Sequence, residues 1–235
     1  VPASLHINSR FNGPQGSGNG GYSAGVVAGL LGGEAEVSLR RPVPLDTELE
    51  VRNGNGEVRV LVGEELVIEG RRAKVAVEPP AAVSLDEARR ASQHYRGLPD
   101  GLFCNCFVCG RARAKEDCFE VFAGAVDGRG LVASAWTPPP WAGDSTGNVL
   151  PEFVWATLDC PTYFATYMEE DLAVSFLARF TARVGAEIPV GEEHVVVAWP
   201  IETDGRKRYA GSAVLSAEGE TRAVASALLI EPRPR

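Results

Sequence analysis

The 235 residues suffice for two compact domains or one large one, and with 45% hydrophobic and 23% charged residues they make a globular chain, neither disordered nor collagen-like. Lys plus Arg number 23 against 31 Asp plus Glu, and the net charge of −8 leaves no global basic field for nucleic acid or an anionic membrane. No apolar run approaches the ~18 residues of a membrane span, no basic-then-apolar leader follows Val1-Pro2-Ala3-Ser4, and five cysteines, an odd number, favour a reducing compartment, the cytoplasm by default.

In chain order, the glycine-rich loop Gly16-Ser17-Gly18-Asn19-Gly20-Gly21 leads into Tyr22–Leu31. That stretch is apolar on every side, which predicts a buried helix stopped by Gly32-Gly33. Alternating segments follow at Ala35–Val43, Glu48–Arg52, Val58–Val62 and Leu66–Val77, with Asn53-Gly54 and Gly63-Glu64-Glu65 as turns. A linker is expected over 81–103, with a short helical piece near Leu85–Ser92. The pattern then restarts: a hairpin of Glu120–Val126 and Leu131–Trp136, a second apolar helix from Pro151 to about Met168, and strands at Ala178–Ala186, His194–Pro200, Tyr209–Leu215 and Arg222–Ile230. Pro161 cannot donate to the carbonyl of Thr157, so a break or kink is expected there.

The halves share their punctuation. Pro44-Leu45-Asp46-Thr47-Glu48 answers Pro189-Val190-Gly191-Glu192-Glu193, Asn53-Gly54 answers Asp204-Gly205, Gly63-Glu64 answers Glu218-Gly219, and Val77-Glu78-Pro79 answers Ile230-Glu231-Pro232. Landmarks repeated in one order mark a duplicated unit, and each unit is one buried helix with an antiparallel sheet that must wrap it. The expected architecture is α+β, with an N-terminal unit over 1–80 and a C-terminal unit over 104–235 whose sheets form one continuous layer, both helices on the same side. Further pairing of two chains into a homodimer has no residue to argue it.

With Asn19-Gly20-Gly21-Tyr22 opening the first helix and Leu150-Pro151-Glu152-Phe153-Val154-Trp155-Ala156-Thr157-Leu158-Asp159 in the second, the chain resembles the double hotdog thioesterase family. The resemblance implies hydrolysis or binding of a fatty or aromatic acyl thioester, usually of coenzyme A, with coenzyme A as part of the substrate and no separate cofactor. It departs from the family at Leu150, where His is frequent, and at Pro151-Glu152, where the family has Gly-Gly. Medium-chain members hold the water with a Thr and a Gln from strands; here Leu177 and Ala227 stand at those places, with Thr181 nearby.

Asp159 is the sharpest catalytic candidate, because a carboxylate among Val154, Trp155, Leu158 and Tyr163 is costly to bury, and desolvation raises its pKa toward that of a useful base. Glu152, two turns earlier, could assist, although an acid in a first turn also serves the helix dipole. The first helix has no matching acid: Ala28 stands in that register. Its contribution would be the helix-start amides around Gly20, Gly21 and Tyr22, which can polarise a thioester carbonyl, with Asn19 as a side-chain donor. Arg206-Lys207-Arg208, the densest basic cluster, is either a binding patch for a coenzyme A phosphate or a solvated hairpin tip, and Arg71-Arg72 is a weaker cluster of the same kind. A non-catalytic acyl-thioester binder, or a purely structural protein of the same fold, is the alternative.

Other motifs lack their context. Gly16–Gly21 fits G-x-G-x-x-G, but hairpin strands follow it where a dinucleotide site needs βαβ. Gly143-Asp144-Ser145-Thr146-Gly147 fits G-x-S-x-G with a proline run where the preceding strand should be. A hydratase would need an Asp–His pair, and His6, His94 and His194 lie far from well-placed acids. Cys106-x-x-Cys109-Gly has knuckle spacing, and Cys104, Cys118 or His94 could complete a zinc site. Without a second C-x-x-C, the expectation is well under one zinc per chain, and Cys160 reads as core.

Overall fold

The computed structural model describes residues 2–97 and 101–233. The two apolar stretches form helices α1 (Gly20–Leu31) and α3 (Pro151–Thr166), both largely buried. At the start of α1 the Asn19 side chain accepts from the Tyr22 amide at 2.8 Å, and Gly32, at φ 68°, closes the helix. Pro151 occupies the first position of α3, where its missing N–H costs nothing. The break expected at Pro161 does not occur. Helix α3 runs through it and closes with Thr162 Oγ1 donating to the Asp159 carbonyl at 2.6 Å and Thr166 Oγ1 to the Tyr163 carbonyl at 2.9 Å.

The strands are β1 (Ser4–His6), β2 (Ala35–Leu39), β3 (Glu48–Gly54), β4 (Glu57–Val62), β5 (Glu65–Arg72), β6 (Gly124–Val126), β7 (Leu131–Trp136), β8 (Phe176–Val184), β9 (His194–Asp204), β10 (Lys207–Ser216) and β11 (Thr221–Ile230). They form one 11-stranded sheet in the order β1-β3-β4-β5-β2-β8-β11-β10-β9-β7-β6. The order is symmetric about its middle. Reading outward from the β2–β8 junction, β2-β5-β4-β3-β1 is matched by β8-β11-β10-β9-β7, with β6 added at the far edge. At the junction Val37 faces Phe180 and Ala35 faces Ala182, all fully buried, so one continuous layer crosses the two halves as expected.

Helices α1 and α3 pack against each other and against this sheet. The contact depends on Gly21 and Gly25, one turn apart on α1. A Cβ at Gly21 would lie 2.5 Å from the Trp155 carbonyl oxygen and the Asp159 Cβ, and one at Gly25 would lie 2.6 Å from the Glu152 Cα. Moving forward along α1 therefore moves backward along α3, and the helices are antiparallel at close backbone range.

The segment expected as a linker covers the second half of the sheet. Helix α2 (Leu85–Gln93) starts with a Ser84–Glu87 capping box and buries Ala88 and Ala91 among Val126, Leu131, Ala133 and Val195. The strand expected from Glu120 is reduced to Gly124–Val126, because Glu120 takes a left-handed φ of 54°. The irregular chain before it belongs to the main core through the fully buried Phe107, Val108 and Val121. Among the described residues, no helix is long and apolar enough to cross a membrane.

Candidate active site

A cavity of about 530 Å³ opens where α1 begins, between the two halves and beneath the loop that carries Cys106 and Cys109. The α1 start contributes Asn19 and Gly20, α3 contributes Asp159, Cys160 and Tyr163, and β8 contributes Phe176 and Leu177. The volume lies within the roughly 300–1,000 Å³ typical of small-ligand pockets.

Asp159 is 8% exposed, and its Oδ2 accepts a 2.8 Å hydrogen bond from the Gly21 amide. Desolvation drives its pKa up to about 7; the Gly21 hydrogen bond opposes the rise and charge at Cys106 adds to it. A Cβ on Gly20 would lie 3.3 Å from Asp159 Oδ2, so the Gly20 backbone and this carboxylate meet at the cavity wall. Tyr22 N–H is taken by Asn19, whereas Gly20 N–H finds no acceptor among the described residues. A first-turn amide of a buried helix with no acceptor suits an oxyanion.

The other site residues named from sequence divide sharply. Asn19, expected as a donor to substrate, uses its Oδ1 on the Tyr22 amide and points its Nδ2 at the sulfurs of Cys106 (3.7 Å) and Cys160 (3.8 Å). Tyr22 packs between Phe11 and Phe153, at centroid distances of 4.5 and 5.4 Å, and does not line the cavity. Glu152 lies outside the cavity at the α3 start, where its charge joins burial in pushing the Tyr22 hydroxyl pKa up to about 12. Of the basic cluster only Arg206 reaches the cavity. Lys207 pairs with Asp204 at 3.2 Å. Arg208 is buried under the wall, bonded to Glu231 at 2.6 Å and Glu170 at 2.8 Å and stacked 4.1 Å from the Tyr167 ring centroid, which holds it in the structure and away from any phosphate. Arg71 pairs with Glu36 and Arg72 donates to the Leu31 carbonyl, so neither is available.

Two features escaped the sequence reading. Arg40 and Arg41, at the end of β2, line the cavity, paired with Glu69 and Glu65 respectively. The available signal is a basic pair directly before Pro42, inside the alternating stretch Ala35–Val43. The second is a cluster of thiols. The sulfurs of Cys106, Cys109 and Cys160 all lie within 4.8 Å of one another at the cavity wall. The expected companions do not join them: Cys104 donates to the Gly101 carbonyl and Cys118 lies against the Val108 and Gly110 carbonyls.

The weak motifs resolve structurally. The Gly16–Gly21 loop turns into α1 and from there into antiparallel strands. Asp144 Oδ1 accepts from the Thr146 and Asn148 amides in a local turn, with no strand running into Ser145.

No protein-family model and no curated protein matches the chain. Solved structures do. A conserved protein of unknown function with a hot dog fold from Alicyclobacillus acidocaldarius aligns over 99% of this chain and 93% of its own, with a TM-score of 0.57 and 12% identity. The tesB protein of Mycobacterium avium subs paratuberculosis aligns over 97% of this chain and 91% of its own, with a TM-score of 0.57 and 13% identity. This is a hotdog fold. The acyl-CoA thioesterase II TesB2 of Mycobacterium marinum also has it, at a TM-score of 0.51 and 12% identity over 86% of this chain and 80% of that one. In the present hotdog protein α1 and α3 are the enclosed helices, and the cavity lies at the start of one against the middle of the other. A fold hosts many chemistries, so the activity has to come from these side chains.

Proposed function

We propose that the chain is a double hotdog acyl thioester hydrolase, with units over 1–80 and 104–235, acting on acyl-CoA or a related thioester. The observation that carries this reading is the pairing of Asp159 with the start of α1: a buried carboxylate held by Gly21 N–H, beside the unengaged Gly20 N–H, in an apolar cavity. The acyl chain lies along Tyr163, Phe176 and Leu177, with its carbonyl oxygen toward Gly20. Asp159 accepts a proton from water as the water oxygen bonds to the carbonyl carbon. The developing oxyanion is stabilised by Gly20 N–H and the positive end of α1. Collapse breaks the C–S bond, and the departing sulfur takes the proton, giving a carboxylic acid and a free thiol. Arg206, Arg40 and Arg41 line the cavity, and a coenzyme A phosphate would bind there by displacing the Glu231 carbonyl, Glu69 and Glu65 from them. Five free thiols suit a reducing, cytoplasmic setting.

One observation favours the binding protein. Leu177 packs against Gly20, where a Cβ would lie 3.0 Å from the Leu177 Cδ2, so an apolar side chain occupies the place of a polar water-holder. A panel of short, medium, long and aromatic acyl-CoAs, followed by release of free thiol, separates the two. Turnover on at least one supports the hydrolase. Acyl-CoA binding with no turnover on any replaces it with the binder.

A further inference from the structure

The thiol cluster has a construction of its own. Cys106 and Cys109 come from one tight turn: Gly110 N–H donates to the Cys106 carbonyl at 2.8 Å, and a Cβ on Gly110 would lie 2.5 Å from the Cys106 amide nitrogen. Only glycine closes the turn that way, which explains the glycine of Cys106-Phe107-Val108-Cys109-Gly110. The third sulfur arrives from α3, more than fifty residues along the chain, with Cys160 Sγ 3.8 Å from Cys106 Sγ.

We infer that Cys106, Cys109 and Cys160 bind one zinc ion, with the fourth coordination position facing the cavity. The geometry is the argument. Thiolates about 2.3 Å from a tetrahedral zinc stand about 3.8 Å from each other. That is the Cys106–Cys160 spacing, and the remaining edges, none above 4.8 Å, close by small side-chain rotations. Cys106 and Cys109 are each 2% exposed, Cys160 is half-buried, and no disulfide joins the three. Asn19 Nδ2 already donates toward two of the sulfurs, the outer-shell support a thiolate set needs. Three protein ligands with an open position is the arrangement of a reactive zinc, whereas closed sites take four. The knuckle of C-x-x-C spacing thus finds its missing partner on a helix, and the sub-stoichiometric zinc expected from spacing alone is revised. The site shares its cavity with Asp159, but its tests read metal binding and not hydrolysis, so either reading can fail without the other.

Elemental analysis of protein purified without chelator should give about one zinc per chain. Chelator-stripped, reduced protein titrated anaerobically with Co²⁺ should develop thiolate-to-cobalt charge transfer and the intense visible bands of a tetrahedral site. Cys109→Ser and Cys160→Ser should each abolish those bands, and Cys104→Ser should leave them intact. Should a serine variant fail to fold by circular dichroism, alkylation of the wild type read by mass spectrometry decides: added Zn²⁺ should protect Cys106, Cys109 and Cys160 while Cys104 reacts regardless. Zinc below ~0.1 per chain with no cobalt bands, bands that survive Cys160→Ser in folded protein, alkylation unchanged by Zn²⁺, or a Cys106–Cys160 disulfide in the reduced preparation would each overturn the site.

Discussion

Within the cavity the two amides at the start of α1 divide their work. Gly21 N–H positions the Asp159 carboxylate, and in the proposed reaction Gly20 N–H serves the substrate. The division is testable because Asn19, at φ −61° and ψ 134°, already has the extended conformation that a following proline requires, and Gly20 is the first helical residue, where proline is accepted. Gly20→Pro should therefore fold while losing one N–H. Gly20→Ala places the same Cβ near Leu177 and keeps the amide, so it is the control for crowding. We expect hydrolysis by Gly20→Pro to fall about 10²-fold below Gly20→Ala, the scale of one lost oxyanion donor. Equal rates in the two variants would remove the amide from the mechanism. Glu152 sits outside the cavity, so Glu152→Gln should leave turnover within about threefold and cost about 0.3–1 kcal/mol at the helix start, read by denaturant unfolding.

At the scale of elements, the helix pair governs stability. In an exposed helix Gly→Ala stabilises by about 1 kcal/mol. At Gly25 the added methyl would meet the α3 backbone at 2.6 Å, so the sign should reverse. Overpacking at such a contact costs roughly 1–3 kcal/mol, and thermal denaturation of Gly25→Ala should show a lower Tm; an unchanged or raised Tm would mean that the helices separate easily. A second element-level prediction comes from His194 at the start of β9. Burial and, after it, the Arg222 charge push its pKa down to about 4, against a weaker upward pull from Glu218. Between about 6.5 and 4 the unfolded chain binds a proton that folded His194 refuses, so the contribution of His194 to stability falls as the pH drops through that window. Relative to His194→Gln, the wild type should lose stability from pH 6.5 to 4 and stay parallel to it above pH 7, measured by urea unfolding.

Much of this level was legible in the sequence. The two helices and most strands follow from period and punctuation, because burial on one face imposes alternation. Strand β1 was missed, since Ser4-Leu5-His6 is too short to carry a period. The segment expected to run to Val77 ends as a strand at Arg72, because its partner β2 begins at Ala35 and only the Ala73 amide bonds beyond, to the Glu34 carbonyl. For the site, Asp159 was readable as a costly buried charge. The Arg40–Arg41 wall and the approach of Cys160 to Cys106 were not, because they depend on which loop folds over which helix.

Across the whole molecule the strand order is symmetric about its middle and brings two helix starts, of which the proposed mechanism uses one. Helix α1 opens with Asn19-Gly20-Gly21 facing Asp159, while α3 opens with Leu150-Pro151, and Ala28 stands in the register of the acid. Proline has no N–H to offer and alanine no base, so under the proposed mechanism the mirror position is inert and each chain works through one site. The account therefore rests on a single carboxylate, and steady-state hydrolysis of the best acyl-CoA by Asp159→Asn is its most direct test. Asn keeps the shape and can still accept from Gly21 N–H, so the variant should fold, unfold at a temperature no lower than the wild type and bind acyl-CoA with similar affinity. Its turnover should fall about 10²-fold or more. Wild-type turnover in folded Asp159→Asn would contradict the account.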